Sequence, residues 1–141
     1  MLSTHWKTSD SVRSVTERGL QKLLERHVEL FNAAVSSGNY GPFLATFAED
    51  AVMRFDNIPI GPFIGRNAIA EAYATQPPMD TMALIGMRVL GDNAVIAAFE
   101  WDAGGTGHMY LRFRGRQVAE LAIEFGLVPE PRPGEATASG P

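Results

Sequence analysis

The 141-residue sequence contains no cysteine. That single absence removes disulfide frameworks, thiolate zinc sites, iron–sulfur clusters and cysteine nucleophiles together. Histidine is scarce, with 3 widely spaced residues, and no metal site is expected. Long apolar runs are missing too. The longest, Ala94 to Phe99, is six residues, against the roughly 20 that a membrane-spanning helix needs. Positive charge is in deficit: Lys+Arg 12 against Asp+Glu 16 leaves −4, which argues against a nucleic-acid or anionic-lipid partner. There is no G-x-G-x-x-G after a strand, no Walker loop and no G-x-S-x-G, so no nucleotide cofactor is indicated. Met1 to Asp10 lacks the apolar centre of a signal peptide. A soluble, cytoplasmic domain without a cofactor is the expectation.

What is present supports one core, with 45% apolar residues. Residues 1–16 are mostly polar and read as a loose arm. Residues 127–141 (LVPEPRPGEATASGP) are rich in Pro and Gly without periodicity and read as a disordered tail. The body is 17–126. Apolar positions recur every three to four residues from Leu20 to Val35, one face of an amphipathic helix, which Ser36-Ser37-Gly38-Asn39 ends. A short helix follows over Gly41–Phe47, then a strand over Ala51–Phe55. A third helix over Arg66–Thr75 is stopped by Pro77-Pro78.

From Asp80 the period becomes two. Turn signals at Gly91-Asp92-Asn93, Gly104 to Gly107 and Gly115-Arg116-Gln117 divide the rest into four strands of an antiparallel meander. Helices first and a meander last make the fold class α+β. Pairing apolar with apolar and charge with opposite charge sets Asp102 against His108 and Trp101 against Met109 in the middle hairpin. In the last hairpin it sets Arg112 against Glu120, Leu111 against Leu121 and His108 against Glu124. One face is then Val95, Ala97, Phe99, Trp101, Met109, Leu111, Phe113, Leu121, Ile123 and Phe125, a surface the helices must cover. The other mixes Ala94, Ile96, Ala98, Arg112, Glu120 and Ala122. That composition suits a homodimer interface edged by ion pairs, or an ordinary exposed face.

Two stretches, Phe43-Leu44-Ala45-Thr46-Phe47-Ala48-Glu49-Asp50-Ala51-Val52 and Gly61-Pro62-Phe63-Ile64-Gly65-Arg66-Asn67-Ala68-Ile69, look like the signatures of the nuclear transport factor 2-like superfamily. That group includes ketosteroid isomerases, SnoaL-like polyketide cyclases and limonene epoxide hydrolases. The resemblance implies a cone: a curved antiparallel sheet wrapped on the long N-terminal helix around an apolar cavity. It also implies that the isomerases' three catalytic positions fall here on Phe31, Phe55 and Met109. All three are apolar, so isomerisation by that mechanism is not expected.

The remaining polar candidates are few. His27, one turn before Phe31, points toward the cavity and can serve as a neutral base, or is a core histidine. Asp56 adjoins the family's base position; it either turns inward through a bulge or pairs outward with Arg54 or Arg66. Those two are the candidate catalytic residues. His108 reads as part of a surface ion cluster. Phe31, Met53, Phe55, Tyr73, Met87, Phe99, Trp101, Met109, Leu121 and Phe125 either line a pocket for a flat hydrophobic ligand or fill the cone as solid core. The expected function is therefore a SnoaL-like or ketosteroid isomerase-like pocket protein acting on a small hydrophobic molecule. Its chemistry, if enzymatic, would be cofactor-independent proton transfer of the isomerase or cyclase type. The alternative is a non-catalytic ligand-binding or dimerisation module that has lost the family's acid–base residues.

Overall fold

A computed structural model describes residues 2–126, with side chains described from residue 16 onward. The segment expected as a tail lies outside the described residues. Helix α1 is Leu2–Ser37, so its backbone begins well before the expected start at Leu20 and takes in the stretch read as an arm. No proline interrupts it. Its inward stripe is Leu20, Leu24, His27, Val28, Phe31 and Ala34, all buried. Gly38 stops the helix with φ 81°, and its N–H reaches back to the Ala34 carbonyl at 2.7 Å.

Helix α2 (Gly41–Leu44), strand β1 (Phe47–Phe55), strand β2 (Phe63–Ile64) and helix α3 (Arg66–Thr75) follow. The meander is β3 (Met82–Leu90), β4 (Ala94–Trp101), β5 (Thr106–Arg114) and β6 (Gln117–Phe125). The six strands form one sheet in the order β2-β1-β6-β5-β4-β3. Every neighbouring pair is antiparallel except β1 with β6, which is parallel.

The two signature stretches act as joints between layers. Phe43, Phe47 and Ala51 are completely buried, while Asp50 points out and accepts a hydrogen bond from Arg114 Nη1 at 2.9 Å. Gly65 takes φ 95° to start α3 and donates to the Ala51 carbonyl at 2.7 Å. Arg66 Nη1 donates to the Phe47 carbonyl at 3.1 Å, and Ile69 is wholly buried beneath it. Helix α3 is thereby fixed against β1.

The last hairpin has the expected register, with Arg112 opposite Glu120, Leu111 opposite Leu121 and His108 opposite Glu124, up to a bulge at Arg112/Phe113. The middle hairpin does not. His108 lies opposite Ala98 rather than Asp102, and Met109 opposite Ala97 rather than Trp101. Gly104 and Gly105, at φ 111° and 98°, form the turn themselves, and the strand resumes at Thr106. Gly107 belongs to the ladder opposite Phe99, and the Phe99 ring occupies the space where a side chain at this position would stand. The slip is an even number of residues, so each side chain keeps its face. Asp102 is left to accept the Thr81 hydroxyl at 2.8 Å, and so does not join His108 in an ion cluster. Among the described residues, no helix is long and apolar enough to cross a membrane.

Candidate functional site

The concave face of the sheet is not filled by α1 and α3. A cavity of roughly 800 Å³ remains, opening to solvent past Ile60 and Met79, which are 40% and 92% exposed. Its wall is a chain of aromatic rings. Phe31 of α1 lies 6.3 Å from Trp101, Trp101 stacks on Phe125 at 6.2 Å, Phe125 stacks on Phe55 at 5.6 Å, and Phe55 meets Phe63 edge-on at 6.4 Å. Phe99, 5.1 Å from Trp101, stands behind them. Period-two alternation aims these residues inward from β1, β4 and β6, and the helical stripe supplies Phe31. Such a wall presents flat apolar surface at ring spacings suited to stacking.

Of the residues expected to bind a ligand, Phe31, Met53, Phe55, Tyr73, Phe99, Trp101, Met109, Leu121 and Phe125 all line the cavity. Met87 does not. It lies on the edge strand β3, pairs with Ala97 on β4 and packs against the core. His27 lines the cavity; Asp56 does not. No bulge intervenes between Phe55 and Asp56, because the Asp56 N–H continues the ladder to the Ile123 carbonyl at 2.9 Å. Phe55 therefore points in, and Asp56 points out to accept Arg54 Nε at 3.0 Å. The positions Phe31, Phe55 and Met109 face the cavity as the resemblance implied, and face it with carbon and sulfur only.

His27 is 5% exposed and sits at the enclosed end of the cavity, with its ring 5.0 Å from Phe43 and 6.0 Å from Phe47. Its Nδ1 is buried without a hydrogen-bond partner among the described residues. Desolvation lowers its pKa from 6.5 to about 4, so the imidazole is neutral at physiological pH. Burial, with the nearby Tyr40 adding to it, pushes the Tyr73 phenol well above its ordinary value, so that group is a hydroxyl and not a phenolate.

The polar part of the rim comes from a segment whose pattern gave no inward signal: Thr75, Gln76 and Asp80, around the Pro77-Pro78 break. Asp80 is already committed. Its two oxygens accept the Thr81 and Ala103 N–H groups at 2.9 and 2.8 Å, which ties the start of β3 to the β4–β5 turn. Asn32 secures the same strand to α1, donating to the Met82 carbonyl and accepting its N–H, both at 2.9 Å. Among the described residues, no three His, Cys, Asp or Glu come together as metal ligands.

The sequence pattern of the SnoaL-like domain matches residues 28–128. No functionally curated protein matches the chain by sequence. Solved structures share the fold. A proposed polyketide cyclase from Xanthomonas campestris is 19% identical, with TM-score 0.61 over 79% of this chain and 93% of that one. An NTF-2-like protein of unknown function from Burkholderia xenovorans is 14% identical, with TM-score 0.62 over 85% of this chain and 94% of that one. A proposed ketosteroid isomerase from Kribbella flavida is 16% identical, with TM-score 0.56 over 78% of this chain and 84% of that one.

Proposed function

This chain belongs to the SnoaL-like domain family, and from that premise we propose that it binds a small, flat, largely apolar molecule inside the cone. The observation that carries the reading is the cavity itself. Its continuous aromatic wall is open to solvent and is not filled by side chains. A space of this size falls in the range that encloses drug-sized ligands. The neutral, polarity-sensitive fluorophore 6-propionyl-2-dimethylaminonaphthalene tests it. Saturable binding with blue-shifted emission is expected, and Trp101→Ala should weaken it several-fold through lost stacking, worth about 0.5–1.5 kcal/mol. Emission unchanged from buffer at high protein concentration would reject the pocket.

A second reading, cofactor-independent proton transfer of the isomerase or cyclase type, is favoured by His27. A neutral imidazole on the wall of an apolar cavity can exchange a proton with a carbon acid or hold a developing enolate oxygen. Turnover of a panel of enones, epoxides and polyketide-like lactones, lost in His27→Ala and kept in Asp56→Asn, is the outcome this reading requires. Without turnover in the parent protein, only binding stands.

We also propose that the convex sheet face joins two copies. Ile96, Ala98 and the buried Ala94 and Ala122 lie there beside a chain of ion pairs: Asp56 to Arg54, Arg54 to Glu120, and Glu120 to Arg112 at 3.3 Å. Small apolar residues edged by paired charge fit an isologous interface.

A further inference from the structure

Resting on the pocket reading above, we infer that His27 acts as a hydrogen-bond donor through Nε2, and that the cavity therefore selects an uncharged ligand that buries an acceptor oxygen against it. The argument begins with the two ring nitrogens. Nδ1 is sealed off and has no partner among the described residues; Nε2 is not so sealed, and the ring borders the cavity, so Nε2 is the nitrogen turned toward the ligand space. A neutral imidazole carries one N–H and one bare nitrogen. Whichever nitrogen is sealed off must go without a partner. Orphaned N–H donors are rarer in folded proteins than under-satisfied acceptors, so the bare nitrogen belongs at the buried Nδ1. The proton is then on Nε2. The ring stays in this neutral form down to about pH 4, so at neutral pH the nitrogen that faces the cavity is a donor.

The rest of the wall fixes the ligand's charge. Among the described residues, no lysine or arginine lines the cavity, so a buried anion would have no counter-ion there. Asp80, the one carboxylate among the described lining residues, spends both oxygens on backbone N–H groups and does not await a cation. A ketone, enone, lactone or ether on a flat ring system satisfies the whole wall, with its oxygen entering first toward His27 and its apolar end lying among Trp101, Phe125 and the exposed Met79.

Two measurements test this. In nitrogen-15 spectra of the ligand-free protein at pH 7, His27 should show a bare Nδ1 and a protonated Nε2; the reverse tautomer would overturn the inference while leaving the pocket intact. The second uses three naphthalenes of one shape: 2-acetylnaphthalene, 2-isopropenylnaphthalene and 2-naphthoate. The ketone should bind about tenfold tighter than the alkene, and the carboxylate far more weakly than either. His27→Phe should erase the ketone's advantage without weakening the alkene, and His27→Gln, which restores an N–H, should recover part of it. Equal affinity for ketone and alkene in the parent protein, or a preference for 2-naphthoate, would overturn the donor assignment alone. Failure of all three to bind would overturn it together with the pocket.

Discussion

Gly107→Ala offers the sharpest test of how the sheet and cavity wall fit together. A Cβ at Gly107 would stand 2.5 Å from Phe99 Cζ and 2.9 Å from the Glu124 carbonyl oxygen. Ordinary contact distances are about 3.5–4 Å, so the ring must retreat by about an ångström, and the neighbouring strand must move as well. Phe99 has no slack, being fully buried with Trp101 at 5.1 Å. Overpacking of this kind costs about 1–3 kcal/mol. For a body of this size that is a drop of about 4–12 °C in Tm. Gly86→Ala is the matched control, since nothing lies within 4 Å of its Cβ and its φ is not positive; it should be neutral or slightly stabilising. Urea denaturation of both variants gives the comparison, and Trp101 fluorescence reports whether the ring beside it has moved. A Gly107→Ala protein as stable as the parent would refute the packing described for the β4–β5 hairpin and, with it, the position of Phe99 in the wall.

Other outcomes follow from the same structure. Gly19→Ala, in α1 with open space around the new methyl, should raise stability by about 1 kcal/mol in thermal unfolding. Because His27 takes its proton near pH 4 when folded and at 6.5 when unfolded, the unfolded chain holds more protons between those values. Stability should thus be full above pH 6.5 and fall by about 3 kcal/mol on approach to pH 4. His27→Leu should flatten that part of the urea-midpoint curve; an unchanged slope would show that the imidazole is not buried. Ala122→Lys or Ile96→Lys should convert a dimer to monomer in sedimentation, and an unchanged mass would reject the convex-face interface.

Much of this architecture is legible in the residues because it depends on periodicity. Alternation along β4, β5 and β6 gave the cavity-facing side correctly even where the hairpin register was wrong, since a slip of four residues leaves parity untouched. Helix α3 is bounded by Gly65 and the Pro77-Pro78 pair, and those breakers make its limits readable. What pattern could not convey was where space remains. Met87 and Met53 have the same chemistry, but only Met53 reaches the cavity, because Met87 lies on the edge strand β3, where it packs against the core beside α1. Asp80 sits in an irregular connection with no period to read, and its place on the rim emerges only through its bonds to Thr81 and Ala103.

The parallel ladder between β1 and β6 has a consequence for how the chain is made. Arg54 and Glu120 are 66 residues apart, and β1 has only the two-residue β2 as its other neighbour. As the protein leaves the ribosome, β1 must wait for the final strand, while the meander can begin zipping through its short turns. Contacts of such long sequence separation slow folding, and until β6 arrives Phe47, Met53 and Phe55 have no sheet to join. The aromatic wall is thus completed last, by the strand that carries Phe125, and a nascent chain arrested before that point would present the greasy interior to whatever chaperone is nearby.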